Sequence, residues 1–259
     1  MKNILFSVVI PTYNSKNTII KCIESCIIQT YEHYEIIVVD DCSEDNTVEL
    51  IEKYIKMYQI ENILIHKLDI NSGASKARNV GISYAKGEYI ALLDSDDFFH
   101  RKKLETVYEV VSQNSSVDLL GHGYYLETEI NDTDSISENR VTQVTCMGLL
   151  LKNFAVTPSV VFKKSLGMYF NEHMRYTEDH EFFLRVCNKG HKIFYLDKKL
   201  VGLGREILSI GGQSSNNLKM RIGEVKMYIN LYKMDLRYIF FIPFLVLFSL
   251  LKHVVKMIR

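Results

Sequence analysis

Four short apolar runs rich in β-branched residues punctuate the N-terminal part of the chain: Phe6–Ile10, Tyr34–Val39, Ile63–Ile65 and Tyr89–Leu93. They do not alternate apolar with polar, so each reads as a strand covered on both faces, as in a parallel sheet flanked by helices. Between them the apolar period changes. Ile19, Ile20, Ile23, Cys26 and Ile27 recur at helical spacing, as do Val48, Ile51, Ile55 and, less cleanly, Tyr58. A third intervening segment, Ser75 to Ala85, is rich in small residues. Asn46 is placed to cap the second helix, with Glu49 as its capping-box partner. The order β-α-β-α-β-α-β predicts right-handed crossovers and an α/β fold with a doubly wound, mostly parallel sheet.

The second half is less regular. Arg101–Gln113 reads as a helix, Val117–Leu126 as a strand, and the acidic stretch Glu127–Glu138 as an exposed loop. Thr177 is placed to cap a helix from Glu178 to about Asn188, which Gly190 ends. Lys192–Leu196 returns as a strand, and Asn216 to Met234 is helical. No repeat or low-complexity linker interrupts the chain. Residues 1–215 form the expected domain, with 216–259 a helical extension.

Lysine and arginine balance aspartate and glutamate, for a formal net charge of +0, so no global basic field argues for nucleic acid. None of the five cysteines shows a C-x-x-C spacing. Cys22 and Cys26 fall on one helix face and read as small buried apolar residues. Reduced thiols fit the cytosol. The apolar run after Met1-Lys2-Asn3 ends at Pro11-Thr12-Tyr13-Asn14 without a small-residue cleavage site, so it reads as a first strand and not an export signal. The chain is therefore expected in the cytoplasm.

In an open α/β sheet, ligands bind beyond the carboxyl ends of the strands. The first strand is followed by Pro11-Thr12-Tyr13-Asn14, the second by Asp40-Asp41-Cys42-Ser43 and the fourth by Asp94-Ser95-Asp96-Asp97. Asp94-Ser95-Asp96 is the sharpest of these: two carboxylates one residue apart suit Mg²⁺ or Mn²⁺, hard ions that share oxygen ligands with a diphosphate. An isolated pair of this kind also describes a solvated turn, but this one directly follows an apolar strand on a shared polar rim. Asp40-Asp41 serves equally as a turn signal or as an acceptor for a base or ribose. Gly73-Ala74-Ser75-Lys76-Ala77-Arg78-Asn79 opens a helix whose backbone donors and cations suit a diphosphate, or simply packs close to the sheet. Glu178-Asp179 in a first helical turn also complements the helix dipole.

Together these residues resemble glycosyltransferase family 2, whose members have the GT-A fold. The resemblance runs over about residues 4 to 215 and rests on Ser7-Val-Val-Ile-Pro-Thr-Tyr-Asn14, Ile36-Ile-Val-Val-Asp-Asp-Cys-Ser43, Gly73-Ala-Ser-Lys-Ala-Arg-Asn-Val-Gly81, Tyr89-Ile-Ala-Leu-Leu-Asp-Ser-Asp-Asp97 and Thr177-Glu-Asp179, in the family's order. It implies that Pro11, Tyr13 and Asp41 hold the nucleoside of a nucleotide-sugar donor, and that Lys76 and Arg78 lie near its diphosphate. Asp94 would contact the ribose or the metal's water shell, with Ser95 beside it in the donor site. Asp96 would bind Mn²⁺ or Mg²⁺, and Asp179 would be the general base on a glycan or lipid-linked sugar acceptor. Inversion at the anomeric carbon is the family's usual outcome, and UDP is the nucleotide the resemblance favours, with GDP and dTDP left open. Processive members carry Q-x-x-R-W. This chain has no tryptophan, which favours transfer of a single sugar. Gly211-Gly212-Gln213-Ser214, with Arg205, is either a loop over the donor or a surface turn. His180 adjoins Asp179 and is expected to face away.

The tail from Tyr238 to Leu251 is apolar and phenylalanine-rich, followed by Lys252, His253, Lys256 and Arg259. It contains Pro243 and falls short of the roughly 20 apolar residues of a span. A helix in the inner leaflet's headgroup region, reached through 236–259, and a helix packed on the domain or in a dimer are the two readings. Two rivals complete the picture: a nucleotide- or sugar-binding module without catalysis, and a nucleotidyltransferase, a class whose expected glycine- and arginine-rich loop is missing after the first strand of this chain.

Overall fold

The computed structural model describes residues 3–126, 139–205 and 217–258. The expected acidic loop at 127–138 and Gly211–Ser214 lie outside the described residues. The predicted alternation is present: β1 (Phe6–Thr12), α1 (Ile19–Ile27), β2 (Tyr34–Asp40), α2 (Thr47–Tyr58), β3 (Ile63–Lys67), α3 (Ala74–Tyr84) and β4 (Tyr89–Leu92). β1 lies between β2 and β4, parallel to both, and β2 pairs parallel with β3. β3 is the sheet edge and is only half-buried, so the expectation of two covered faces fails there.

After β4 the chain makes β5 (Phe98–Phe99), α4 (Lys103–Gln113), β6 (Leu119–Leu126), β7 (Val141–Val144), α5 (Cys146–Leu151), β8 (Val160–Lys163), α6 (Glu178–Asn188) and β9 (Ile193–Leu203). The sheet runs β3-β2-β1-β4-β8-β6-β9-β5, with β7 also on β9. β8 is antiparallel to both β4 and β6, while β9 is parallel to β6. The short strands β5, β7 and β8 have no sequence pattern of their own. They exist because neighbouring strands offer edges to pair with.

Two apolar layers cover the sheet. On one face Ile19, Cys22, Ile23 and Cys26 of α1 pack with Leu104 and Val107 of α4 over Phe6, Val8 and Ile36. Both cysteines are buried, as their spacing predicts. On the other face Ala77 and Ile82 of α3 and Phe182 and Phe183 of α6 cover Val9, Ile37 and Leu92. Each such side chain contributes roughly 1.5–3 kcal/mol when fully buried. α7 (Asn217–Met234) and α8 (Ile242–Ile258) close this second face, with Met227, Tyr228, Leu231 and Leu245 buried in the same cluster.

Three local expectations are corrected. The cap of α2 comes from Asp45, whose Oδ1 accepts the Thr47 N–H at 3.0 Å, while Asn46 makes no side-chain cap bond. Thr177 stands at the N-cap of α6 without capping it: in the left-handed conformation (φ 59°) its hydroxyl turns to the Tyr176 carbonyl. The thiols are not all reduced. Cys146 at the start of α5 and Cys187 near the end of α6 form a disulfide, with Cα atoms 5.7 Å apart. The packing of α5 on α6 brings them together across 41 residues, a distance over which sequence spacing carries no signal.

Candidate active site

The rim at the carboxyl ends of β1, β2 and β4 is one connected structure. Pro11 belongs to β1, opposite Val39. The β1–β4 register ends at Val9, so the missing N–H of Pro11 leaves no gap in the ladder. Beyond it, Tyr13 is 44% exposed, an aromatic face at the cleft. The Asn14 N–H donates to Ser43 Oγ at 2.9 Å, and Asn14 Oδ1 accepts the Glu44 N–H at 2.8 Å, tying the ends of β1 and β2 together. Ser15 and Ser95 share a hydroxyl bond of 2.8 Å that ties β1 to the acidic turn. Of the four non-glycine residues with positive φ among the described residues, Asn14, Cys42 and Thr177 stand at this cleft. Such backbone strain persists only where surroundings enforce it and concentrates at functional sites.

Asp41 is buried and fixes the loop before α3. Its Oδ1 accepts the Ser72 N–H and its Oδ2 the Gly73 N–H, each at 2.7 Å. Asp40 does the same for its own turn, accepting the Ser43 N–H at 3.0 Å. Gly73 (φ 91°) lets the chain turn into α3.

α3 carries Arg78 into the centre of the site. The guanidinium is 4% exposed, lies 2.7 Å from Asp94 Oδ1 and 3.4 Å from Glu178 Oε1, and stacks 5.4 Å from the Phe170 ring. Burial works against its charge, but Asp94 and Glu178 outweigh that and raise its pKa. One cation thus joins the acidic turn after β4 to the first turn of α6. Lys76, two residues earlier in α3, pairs with Glu172 at 3.4 Å.

The acidic turn crowds its carboxylates. Burial first, then Asp94, pushes the Asp96 carboxyl up, and Arg205 opposes the shift from 3.2 Å. Burial, Asp94 and Asp96 push Asp97 up to about 8. The turn is clamped by the end of β9: β5 pairs with β9, and the Gly204 N–H donates to Asp97 Oδ1 at 3.0 Å. Glycine is required there, since a Cβ on Gly204 would stand 2.0 Å from the Asp96 carbonyl oxygen. Among the described residues no three ligating side chains come together as a ready-made metal cage. The oxygen donors nevertheless fit a hard divalent cation. Their mutual repulsion is the field such an ion relieves, and an ion of this type completes its shell with water and phosphate.

Asp179 lies across the cleft in the first turn of α6. Asn153 Nδ2 donates to its Oδ2 at 2.8 Å, and the His180 N–H donates to its Oδ1 at 2.7 Å. His180 is buried, with its ring nitrogen on the Leu149 carbonyl, so it faces away from the cleft as expected. Sequence reasoning misses three contributors: Glu178 as the second anion on Arg78, Asn153 as the group that orients Asp179, and Gly204 as the clamp. Glu178 stands in the Thr177-Glu-Asp179 motif. Asn153 and Gly204 stand in segments without a readable pattern.

Residues 7–186 match the family described as glycosyl transferase family 2, well over half of the chain. Glycosyltransferase GlyG of Streptococcus pneumoniae is 39% identical over 128 residues, covering 49% of this chain and 42% of the relative. The putative teichuronic acid biosynthesis glycosyltransferase TuaG of Bacillus subtilis is 30% identical over 203 residues, covering 76% of this chain and 77% of the relative. The crystal structure of Staphylococcus aureus TarS 1-349 in complex with UDP-GlcNAc superposes with a TM-score of 0.66 at 26% identity, covering 87% of this chain and 67% of that one. The chain spans 42% of GlyG and 34% of full-length TarS, a poly(ribitol-phosphate) β-N-acetylglucosaminyltransferase.

Two outcomes follow from the geometry. Gly204→Ala is expected to lower stability by about 1–3 kcal/mol in urea unfolding, because the clash is with backbone and no rotamer relieves it. An unchanged midpoint would show that β9 does not clamp the acidic turn. Glu178 is pushed up to about 7, chiefly by burial, against its ordinary 4.5. Between those values the folded protein binds more protons than the unfolded chain, so this group's contribution to stability declines as pH rises. Unfolding free energies at pH 5 and pH 8 should therefore drop less in Glu178→Gln than in the wild type. Parallel profiles would mean that Glu178 does not titrate in this window.

Proposed function

We propose that this chain, which belongs to glycosyl transferase family 2, moves a single sugar from a UDP-linked donor to a hydroxyl of a cell-surface glycan acceptor. The observation that carries this reading is the Arg78 bridge. It ties Asp94 of the acidic turn to Glu178, the residue before Asp179, which supports a donor on one side and a base on the other. The solved UDP-GlcNAc complex of TarS supports the donor, and the names of TarS and TuaG support the acceptor class.

In this reading Tyr13 and Pro11 flank the base, and Asp41 meets it with the lone pairs its backbone partners leave. Asp94 and Ser95 face the ribose. Asp96 would hold Mn²⁺ or Mg²⁺, with Asp94 on its water shell, and such an ion would neutralise the leaving diphosphate. Arg78 and Lys76 add positive potential on the same side. Asp179, held by Asn153, removes the proton of the acceptor hydroxyl. The hydroxyl oxygen then bonds the anomeric carbon as the bond to the diphosphate oxygen breaks. A base facing the leaving group across the cleft gives inversion.

α8 supports a second, separate assignment. Leu245 and Ser249 are buried against α7, where Ser249 Oγ bonds Glu224. The outer surface of α8 exposes Phe244 at 61%, with Leu247 and Leu250, and Phe240, in the turn just before the helix, is 86% exposed beside them. The sequence continues to Lys252, Lys256 and Arg259. No helix among the described residues is long and apolar enough to cross a membrane. An anionic lipid surface matches both the aromatic face and the basic end, which gives peripheral contact and not a span.

UDP is expected to raise the melting temperature only together with Mn²⁺ or Mg²⁺, and Asp96→Asn to lose that rise. Asp179→Asn should keep it while transfer falls by roughly 10²–10⁴-fold. Failure of UDP to stabilise the wild type under any condition would sink the assignment, and loss of UDP binding in Asp179→Asn would sink the base. For α8, sedimentation with phosphatidylglycerol vesicles should carry down the wild type but not Phe240→Ser/Phe244→Ser. Equal partitioning of the two would remove the membrane role.

A further inference from the structure

A cavity of about 360 Å³ opens between the segment 172–176 and α7, away from the acidic turn. Lys219, Ile222, Gly223 and Lys226 line one wall. Their spacing puts them on a single face of α7. Arg175 lines the other wall, beside Tyr176, with Lys219 Nζ 6.0 Å from the Tyr176 ring. The one carboxylate in the lining, Glu172, is engaged elsewhere: Oε2 lies 3.4 Å from Lys76 Nζ, and Oε1 accepts from Asn79 Nδ2 at 2.9 Å. Arg175 and Lys226 are exposed and form no ion pair among the described residues. In a chain with a net charge of +0, this is a local excess of positive charge around a concave, partly apolar surface.

The cavity is coupled by position to the acceptor side of the site. A Cβ on Gly223 would stand 2.8 Å from the Tyr176 carbonyl oxygen and 2.9 Å from Thr177 Oγ1, so α7 lies directly on the residues that lead into α6. On its other side the same segment meets α3, where Ser75 Oγ donates to the Met174 carbonyl at 3.4 Å. The segment thus separates the cavity from the α3 start, and four residues carry it from Arg175 to Asp179. That length of chain spans at most about 14 Å.

We propose that this cavity binds a phosphate group of the acceptor and so presents a neighbouring hydroxyl to Asp179. The inference rests on the glycosyl-transfer reading and adds to it the chemical class of the acceptor. The Arg175 fork with Lys226 across the cavity suits a tetrahedral oxyanion. The volume lies near the lower end of the roughly 300–1,000 Å³ of ligand pockets, enough for one polyol- or sugar-phosphate unit.

The test is calorimetric titration of the full chain with a short phosphodiester-linked glycerol oligomer, beside inorganic phosphate and vesicles of anionic phospholipid. The oligomer should bind the wild type. Arg175→Gln should weaken it on the order of tenfold, as expected for one charge-assisted contact, and Arg175→Gln/Lys226→Gln should weaken it further. Both side chains are exposed, so the variants should keep the wild-type melting temperature and its response to UDP. Three outcomes overturn the proposal: no oligomer binding, oligomer binding unchanged in the double variant, or loss seen only with vesicles, which would make the cavity a lipid-headgroup site. Inorganic phosphate binding that the double variant loses, without oligomer binding, would reduce it to an anion site unconnected with an acceptor. If UDP stabilises the wild type while the oligomer fails, this inference alone falls. If UDP fails while the oligomer binds, the glycosyl-transfer reading falls and the anion site stands.

Discussion

The buried guanidinium of Arg78 is the contact on which both sides of the cleft depend. A cation with 4% exposure is tolerated only because two carboxylates accompany it, Asp94 from the acidic turn and Glu178 from α6. The arrangement is directional. Without Arg78, Asp94 would face Asp96 and Asp97 uncompensated, and Glu178 would face Asp179. One side chain on α3 therefore fixes the distance between the acidic turn after β4 and the first turn of α6. Leaving any one of these charges without its partner inside the protein costs several kcal/mol, so they form a unit and do not act as separate sites.

The remaining carboxylates are oriented by a common device. Asp41 is held by two backbone N–H groups, Asp97 by the Gly204 N–H and Asp179 by Asn153. Each anchor occupies only part of the carboxylate's capacity to accept hydrogen bonds. The group is aimed without being consumed. This explains why the rim carries strained residues: Asn14 and Cys42 turn the chain sharply so that the strand ends can exchange these bonds.

The parallel half of the fold was legible because its information is local. An apolar run without alternation, a helical period and a polar strand end all lie within a dozen residues of each other, and β1 to β4 with α1 to α3 follow that reading closely. The antiparallel half is built the other way. β5 has two residues and exists because Gly202 and Val201 of β9 offer an edge. β8 reads as little more than a short apolar run until β4 and β6 flank it. The Cys146–Cys187 pairing was hidden because it is tertiary, whereas the α2 cap was a local choice between neighbours that fell to Asp45, and Thr177 turned its hydroxyl to the Tyr176 carbonyl.

The same division runs through the site. Residues proposed for the donor sit in compact motifs: Pro11 and Tyr13, Asp41, and Asp94 to Asp96 at the ends of β1, β2 and β4, with Arg78 on α3 between them. A nucleotide is a fixed chemical object, and the sheet's crossovers deliver its contacts in sequence order. The wall proposed for the acceptor is assembled from α5's exit at Asn153, the segment at Arg175 and a helix face at Lys219 and Lys226, none adjacent in sequence. Only the Thr177-Glu-Asp179 motif marks it, as the proposed role of Asp179 requires, since a base would have to meet a reaction centre that the donor already fixes. The Cys146–Cys187 disulfide crosses this wall, tying the helix before Asn153 to the helix that carries Asp179. In the proposed reading, substitutions at Arg175 or Lys226, on α7's side of the segment, would change acceptor recognition without moving Arg78, so one donor-binding half would serve acceptors of different charge.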